Sequence, residues 1–210
     1  MGTTLRLPMS FVLIEFVGTF AFALSGIRLA SAKRFDVFGA WIVGMATAIG
    51  GGTFRDVLLG VNPFWMTNSS YFICCAFAVL WVMAFGRYLI RQNNTWFIFD
   101  TIGLALFNVI GIEKTLAMGY PAWVAVTMGG ITGAAGGVIR DVLINEVPLI
   151  FRQEIYALAC AAGGVIYVGC YHTGMTPEIS ALLSSMVVII TRILAVKHHW
   201  HLPTLKGEED

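Results

Sequence analysis

The chain has 210 residues, of which 58% are hydrophobic and 12% charged, with a mean hydropathy of +0.79. An ordinary soluble domain is about 25% charged, so the composition points to a polytopic membrane protein. The net charge of +1 offers no broad basic surface and excludes nucleic acid as a partner.

Long apolar stretches without ten-residue alternation predict helices that cross a bilayer and exclude a transmembrane β-barrel. The first, about 9–28, contains Glu15 and continues past it without a small-residue cleavage site. It is expected to be a retained span, not a removed signal peptide. The second, about 37–58, ends within GGGTFRDVLLGVNPFW (residues 50–65), where glycines lead into Arg55-Asp56 and then Pro63. The third covers about 70–87, and the fourth, about 95–113, contains Asp100. The fifth, about 121–145, carries AGGVIRDVLINEVPLI (residues 135–150), and the sixth and seventh cover about 154–171 and 178–196. Short connections hold turn residues: Asn62-Pro63, Gln92-Asn93-Asn94, Gly119-Tyr120-Pro121, and Gly174 through Pro177. No connection is long enough to separate domains. The expectation is one all-α membrane domain over residues 1–210, with a polar tail from Lys197.

Basic residues sort by side. Arg28, Lys33, Arg34, Arg87, Arg91, Arg152, Arg192 and Lys197 fall on one face, opposed by Arg6 and Lys114. The positive-inside rule then puts the N-terminus outside and the C-terminus in the cytoplasm. Cys74, Cys75, Cys160 and Cys170 lie in apolar stretches without CxxC spacing and read as small buried hydrophobes. His172, His198, His199 and His201, with Trp200, read as interfacial residues without metal-ligand spacing. GGITGAAGG, residues 129–137, has no βαβ context and is rejected as a dinucleotide loop. With no nucleophile beside a base, no enzyme and no cofactor is expected.

The chain repeats itself. Shifted by 85 positions, residues 15–85 align on 100–170 without a gap. Gly18 meets Gly103, Gly26 meets Gly111, Gly44 meets Gly129 and Thr47 meets Thr132. Gly51-Gly52 meet Gly136-Gly137, Arg55-Asp56 meet Arg140-Asp141, Pro63 meets Pro148, and Tyr71 meets Tyr156. Repeat one spans about 9–87 and repeat two about 95–171. Each copy holds three spans, an odd number, so the copies are inverted in the membrane and the seventh span stands outside the duplication.

Glycine runs weaken a helix by about 1 kcal/mol per residue, and backbone groups freed in hydrocarbon must be satisfied internally or by water. Breaks in the second and fifth helices are therefore expected, facing a wet path. Ala40, Gly44, Ala48 and Gly52, matched by Ala125, Gly129, Gly133 and Gly137, also make the small-residue stripe of close helix packing. Buried in a membrane, Arg55-Asp56 and Arg140-Asp141 are either components of a pathway or gate, or anchors at helix ends. Glu15 and Asp100 correspond under the same shift and are the expected partners of the two arginines.

Two three-span repeats with a glycine run before Arg-Asp, plus a seventh span, resemble the prokaryotic trimeric intracellular cation channels, whose bacterial sequences also carry a glycine-transporter label. The resemblance covers about residues 9–196. It implies a homotrimer in a bacterial or archaeal plasma membrane, surrounded by lipid, with a pore inside each subunit. That pore would pass potassium chiefly, and sodium, between kinked second and fifth helices. Position by position, it implies pore kinks at Gly50-Gly51-Gly52 and Gly136-Gly137; the expected ion pathway adds Thr47, Thr53 and Thr132, with Glu15, Arg55, Asp56, Asp100, Arg140 and Asp141 as the candidate pore or gate charges. The second copy has Ala135 in place of Gly50 and Val138 in place of Thr53, which removes one polar contact from the implied pore. The lysine-rich lipid-binding motif of animal members is not evident. A secondary transporter of a small amino acid such as glycine, or a scaffold whose glycines only pack, are the other readings of the same repeats.

Overall fold

Helical hydrogen bonding dominates the computed structural model, which describes residues 8–91, 95–151 and 155–200. Seven α-helices follow one another among these residues: α1 Met9–Ala32, α2 Val37–Leu58, α3 Ser70–Arg91, α4 Thr95–Ala117, α5 Ala122–Leu143, α6 Ala157–His172 and α7 Pro177–Lys197. Short 3-10 turns, Phe64–Thr67 and Leu149–Phe151, follow α2 and α5. Arg6, Arg152, the Gln92-Asn93-Asn94 turn and the tail from His201 lie outside the described residues, as do the side chains of Arg87 and Arg91.

Among the described residues, five helices (α1, α2, α4, α5 and α7) are long and apolar enough to cross a membrane. α6 has 16 residues, a length of about 24 Å against a hydrocarbon core of about 30 Å. α1 and α4 run a turn further than the charges in them suggested. Lys114 is 7% exposed inside α4, and Arg192 is fully buried inside α7. Neither is the loop charge that the sequence indicated, because each faces a buried carboxylate. In the described loops the positive side is carried by Lys33 and Arg34.

The two copies end their helices alike. After α2, Gly60 adopts φ +70°; after α5, Asn145 at the matching position adopts φ +56°. Val61 N–H then bonds Asp56 O at 2.9 Å, and Glu146 N–H bonds Asp141 O at 2.8 Å. These are left-handed C-terminal motifs. Arg34 after α1 and Gly119 after α4, also 85 positions apart, repeat the device with φ of +62° and +81°. Pro63 and Pro148 then start the 3-10 turns, having no N–H to leave unpaired.

α1, α2, α4 and α5 form the centre, with α3 against α1 and α2, α6 against α4 and α5, and α7 against α4 and α6. The small-residue stripes do pack helices. A Cβ at Gly26 would lie 2.5 Å from Thr47 Oγ1 and 2.9 Å from Gly44 Cα, and one at Gly111 would stand at the same distances from Thr132 Oγ1 and Gly129 Cα. α1 thus sits on α2 as α4 sits on α5. Between the pairs, the Phe22 and Phe107 rings stack at 5.4 Å, and these residues too are 85 positions apart.

The expected helix breaks are absent. α2 and α5 are continuous through Gly50–Gly52 and Gly136–Gly137. Among the described residues only Gly60, Gly119 and Gly174 are glycines with positive φ. The runs use the missing side chain, not the dihedral freedom: they let another backbone approach.

Candidate functional site: a helix crossing between two buried ion networks

α2 and α5 cross backbone to backbone. A Cβ on Gly51 would collide with the carbonyl oxygen of Thr132, and one on Gly136 would collide with that of Thr47. The contacts are reciprocal under the 85-residue shift, as across any two-fold interface. They also run in opposite senses along the two helices, so the helices are antiparallel and the internal two-fold passes between Ile49 and Ala134. Gly50 faces Ile139 across the same crossing.

The three threonines do not offer free hydroxyls. Thr47 Oγ1 donates to Val43 O at 2.6 Å and Thr132 Oγ1 to Met128 O at 2.5 Å, and both residues are fully buried. Thr53 Oγ1 donates to Ile49 O at 2.7 Å and accepts from Trp65 Nε1 at 2.9 Å. Val138, its counterpart, lines an apolar cavity of about 650 Å³ with Phe54, Val126, Ile131, Ile150 and Ala161.

At one end of the crossing, Arg55 is fully buried in the last turn of α2. Its Nε donates to Asp56 Oδ1 at 2.7 Å and its Nη2 to Glu15 Oε1 at 3.4 Å. Lys114 Nζ from α4 donates to Asp56 Oδ1 at 2.7 Å, and Tyr71 Oη from α3 donates to Glu15 Oε2 at 2.7 Å. Asp56 Oδ2 accepts from Phe64 N–H at 2.8 Å, just past Pro63. That bond is why the motif needs an aspartate eight residues before the 3-10 turn.

The other end repeats the plan. Arg140 Nε donates to Asp141 Oδ1 at 2.8 Å, and Nη1 donates to Asp100 Oδ1 and, at 2.9 Å, to Ser25 Oγ. Asp141 Oδ2 accepts from Leu149 N–H at 3.1 Å. Arg192 of α7 acts as the second cation: its Nη2 lies 3.7 Å from Asp100 Oδ2, and its guanidinium stacks 4.6 Å from the Tyr156 ring centroid. By helical rise, six residues either side of the two-fold put Arg55 and Arg140 about 18 Å apart along the helix axes.

In each network two carboxylates face two cations. Placing charges in a low-dielectric interior is tolerable only when they are paired, and here each lies within 4 Å of an opposite charge. Such a network presents no bare positive charge to a passing cation. Sequence reasoning aligned Tyr71 with Tyr156 but gave neither a role, and it placed Lys114 and Arg192 in loops. Span length would have found the last two, since each lies within a helical run of apolar residues. Among the described residues no group of three or more His, Cys, Asp and Glu is placed to hold a metal. The four cysteines are free, with Cys75 and Cys160, another pair 85 apart, buried in the core.

Against this geometry stand the comparisons. The family model described as Glycine transporter matches residues 12–87 and again 97–172, the same 85-residue register. The UPF0126 inner membrane protein YadS of Escherichia coli K12 is 37% identical over 201 residues, covering 94% of this chain and 97% of the relative. A UPF0126 membrane protein of Vibrio cholerae is 40% identical over 202 residues, covering 91% and 81%. The TRIC trimeric intracellular cation channel orthologue from Rhodobacter sphaeroides has a TM-score of 0.87 at 30% identity, covering 91% of this chain and all of that one. A prokaryotic TRIC channel crystallised in 0.5 M KCl has a TM-score of 0.84 at 31% identity, covering 92% and 99%.

Proposed function

The chain belongs to the integral membrane family that the Glycine transporter model describes and that includes the UPF0126 proteins and the bacterial TRIC channels, and from that membership we propose that it is a cation channel. It passes monovalent cations, potassium chiefly and sodium as well, through a path inside each subunit of a homotrimer. α2 and α5 line that path, and the whole chain acts as one membrane domain set in lipid, N-terminus outside. Thr47, Gly50, Gly51, Gly52, Thr53, Thr132, Gly136 and Gly137 mark its narrowest stretch. The networks of Glu15, Arg55 and Asp56, and of Asp100, Arg140 and Asp141, flank it.

One observation carries the proposal: the backbone contact of Gly51 with Thr132 and of Gly136 with Thr47 lies on the internal two-fold, between two charge-balanced networks. Inverted repeats place a path at the repeat interface, and this contact is that interface at its closest. In the arrangement described, the helices meet too closely for an ion, so conduction requires α2 and α5 to separate. Carbonyl oxygens of Thr47 and Thr132 then face the gap and replace some of a cation's hydration shell.

The family model's own description favours a second reading, alternating-access transport of glycine by the same repeats. Single-channel recording of purified protein in a planar bilayer under asymmetric KCl separates the two. Discrete conductance steps reversing near the potassium potential are expected. Electrical silence together with saturable glycine uptake into proteoliposomes would install the transporter instead.

A further inference from the structure

Two differences between the copies alter the second network in the same direction. Asp100 stands where the first copy has Glu15, one methylene longer, and Leu149 stands where it has the ring of Phe64. In the first copy Tyr71 Oη reaches Glu15 directly at 2.7 Å, and the Phe64 ring fills the side-chain direction of Gly52. In the second copy the fully packed Tyr156 makes no hydrogen bond to protein through Oη, and neither do Asp100 Oδ2 and Arg140 Nη2. Asp100 Oδ2 faces Arg192 Nη2, but at 3.7 Å, outside hydrogen-bond range.

The same three residues converge on one point. A Cβ at Gly137 would have as its nearest neighbours Tyr156 Oη at 2.8 Å, Arg140 Nη2 at 3.7 Å and Asp100 Oδ1 at 3.7 Å. Buried polar atoms left unbonded carry their full desolvation penalty, and two of them, Tyr156 Oη and Arg140 Nη2, meet here beside the Asp100 carboxylate, whose Oδ2 is also unbonded, which points to a ligand that bonds all three groups.

We infer that the second copy holds a single buried water beside Gly137. It accepts from Arg140 Nη2, donates to Asp100 Oδ2 and bonds the Tyr156 hydroxyl, the three partners that a buried water typically finds. Charge selects water over an ion. Asp100 and Asp141 face Arg140 and Arg192, so a cation would meet two guanidinium groups and an anion two carboxylates. The water stands in for the methylene that Asp100 lacks. Glycine at 137 is required because any side chain there would press on the Tyr156 hydroxyl.

The two ends of the crossing are therefore unlike. In the first-copy network the tyrosine bonds the carboxylate directly, and of its side chains only Arg55 Nη1 makes no hydrogen bond to protein. The second is closed by an exchangeable solvent molecule, one residue from the contact of Gly136 with Thr47. A water-mediated link can be remade with new partners at little cost, so Asp100 is the carboxylate that moves more readily. This inference stands apart from the channel reading and would hold equally for a transporter.

The test is a crystal structure of the full chain at a resolution that shows ordered solvent, with companion crystals grown in rubidium bromide. We expect a peak within about 3.2 Å of all three atoms, without anomalous signal in the companion crystals. In Asp100→Glu the peak disappears and the longer carboxylate takes the Tyr156 hydroxyl directly, as Glu15 takes that of Tyr71. An anomalous rubidium or bromide peak at the point would overturn the assignment in favour of an ion. Ordered side chains without a peak, or a direct Tyr156–Asp100 bond in the parent, would overturn it outright. Should Asp100→Glu fail to fold, the parent crystals decide alone, with Tyr156→Phe as the second variant, expected to lose or displace the peak.

Discussion

Gly51 of α2 presses its Cα side against the carbonyl oxygen of Thr132 of α5, and no residue larger than glycine fits between them. Gly136 stands in the same relation to Thr47. Gly51→Ala and Gly136→Ala must each push the helices apart, and overpacking of this kind costs about 1–3 kcal/mol. Both variants are expected to melt earlier in detergent and to show altered unitary conductance. Gly169→Ala is the control: nothing lies within 4 Å of its Cβ position, so removing a glycine from α6 leaves stability unchanged or raises it by up to about 1 kcal/mol. Equal melting of all three would mean that the crossing is not the close contact described.

Asp56 is shared by Arg55 and Lys114, both within hydrogen-bond range of Oδ1. Asp56→Asn leaves two buried cations with Glu15 alone, a loss of about 3–5 kcal/mol where a partner is removed from a buried pair. The expected outcome is low yield and a depressed melting temperature. Adding Lys114→Met should restore some of the loss, because it removes the surplus charge while keeping the stem. Strict additivity in that double-mutant cycle would show that the two side chains are not coupled.

Gly60 and Asn145 occupy matching left-handed positions, and no atom lies within 4 Å of a Cβ at Gly60. Its substitution therefore tests backbone conformation alone. Gly60→Val is expected to cost about 1–2 kcal/mol, the penalty of placing an ordinary L-residue there. Asn145→Gly should be neutral or slightly stabilising. Thermal unfolding of both variants checks the pair; a silent Gly60→Val would be incompatible with the turn.

Orientation rests on Lys33 and Arg34 after α1, on the same side as the end of α5, to which Lys33 is tied through Glu146 at 2.6 Å. Tyr120, 41% exposed, lies at the other end of α4 and α5. In a background with the four cysteines replaced by alanine, Tyr120→Cys should label on intact cells with an impermeant thiol reagent. Arg34→Cys should label only after lysis. The opposite pattern would reverse the topology.

Much of this architecture was legible in the chain of residues. Seven apolar runs, their order and the 85-residue duplication follow from composition and spacing, because hydrocarbon demands helices of a set length and a duplicated gene keeps its register. The pairing of Arg55 with Glu15 and of Arg140 with Asp100 was anticipated for the same reason: a buried charge needs a partner, and few were available. Other features lay beyond sequence reading. Arg34 and Gly119, or Gly60 and Asn145, do not match as letters, yet share a backbone state that only φ reveals. Gly50–Gly52 read as a break because a glycine's local effect is to loosen a helix. What fixed its use was the backbone of another helix arriving at the missing Cβ, a contact between segments more than 80 positions apart in the chain. Lys114 and Arg192 looked like loop charges because their carboxylate partners lie on other helices, and only the tertiary fold brings Asp56 and Asp100 to them. Sequence determined the helices, the repeat and the need to neutralise buried charge. The tertiary structure decided which carboxylate neutralises which cation, and that the glycines serve contact instead of unwinding, because both depend on distances between segments that local preference does not encode.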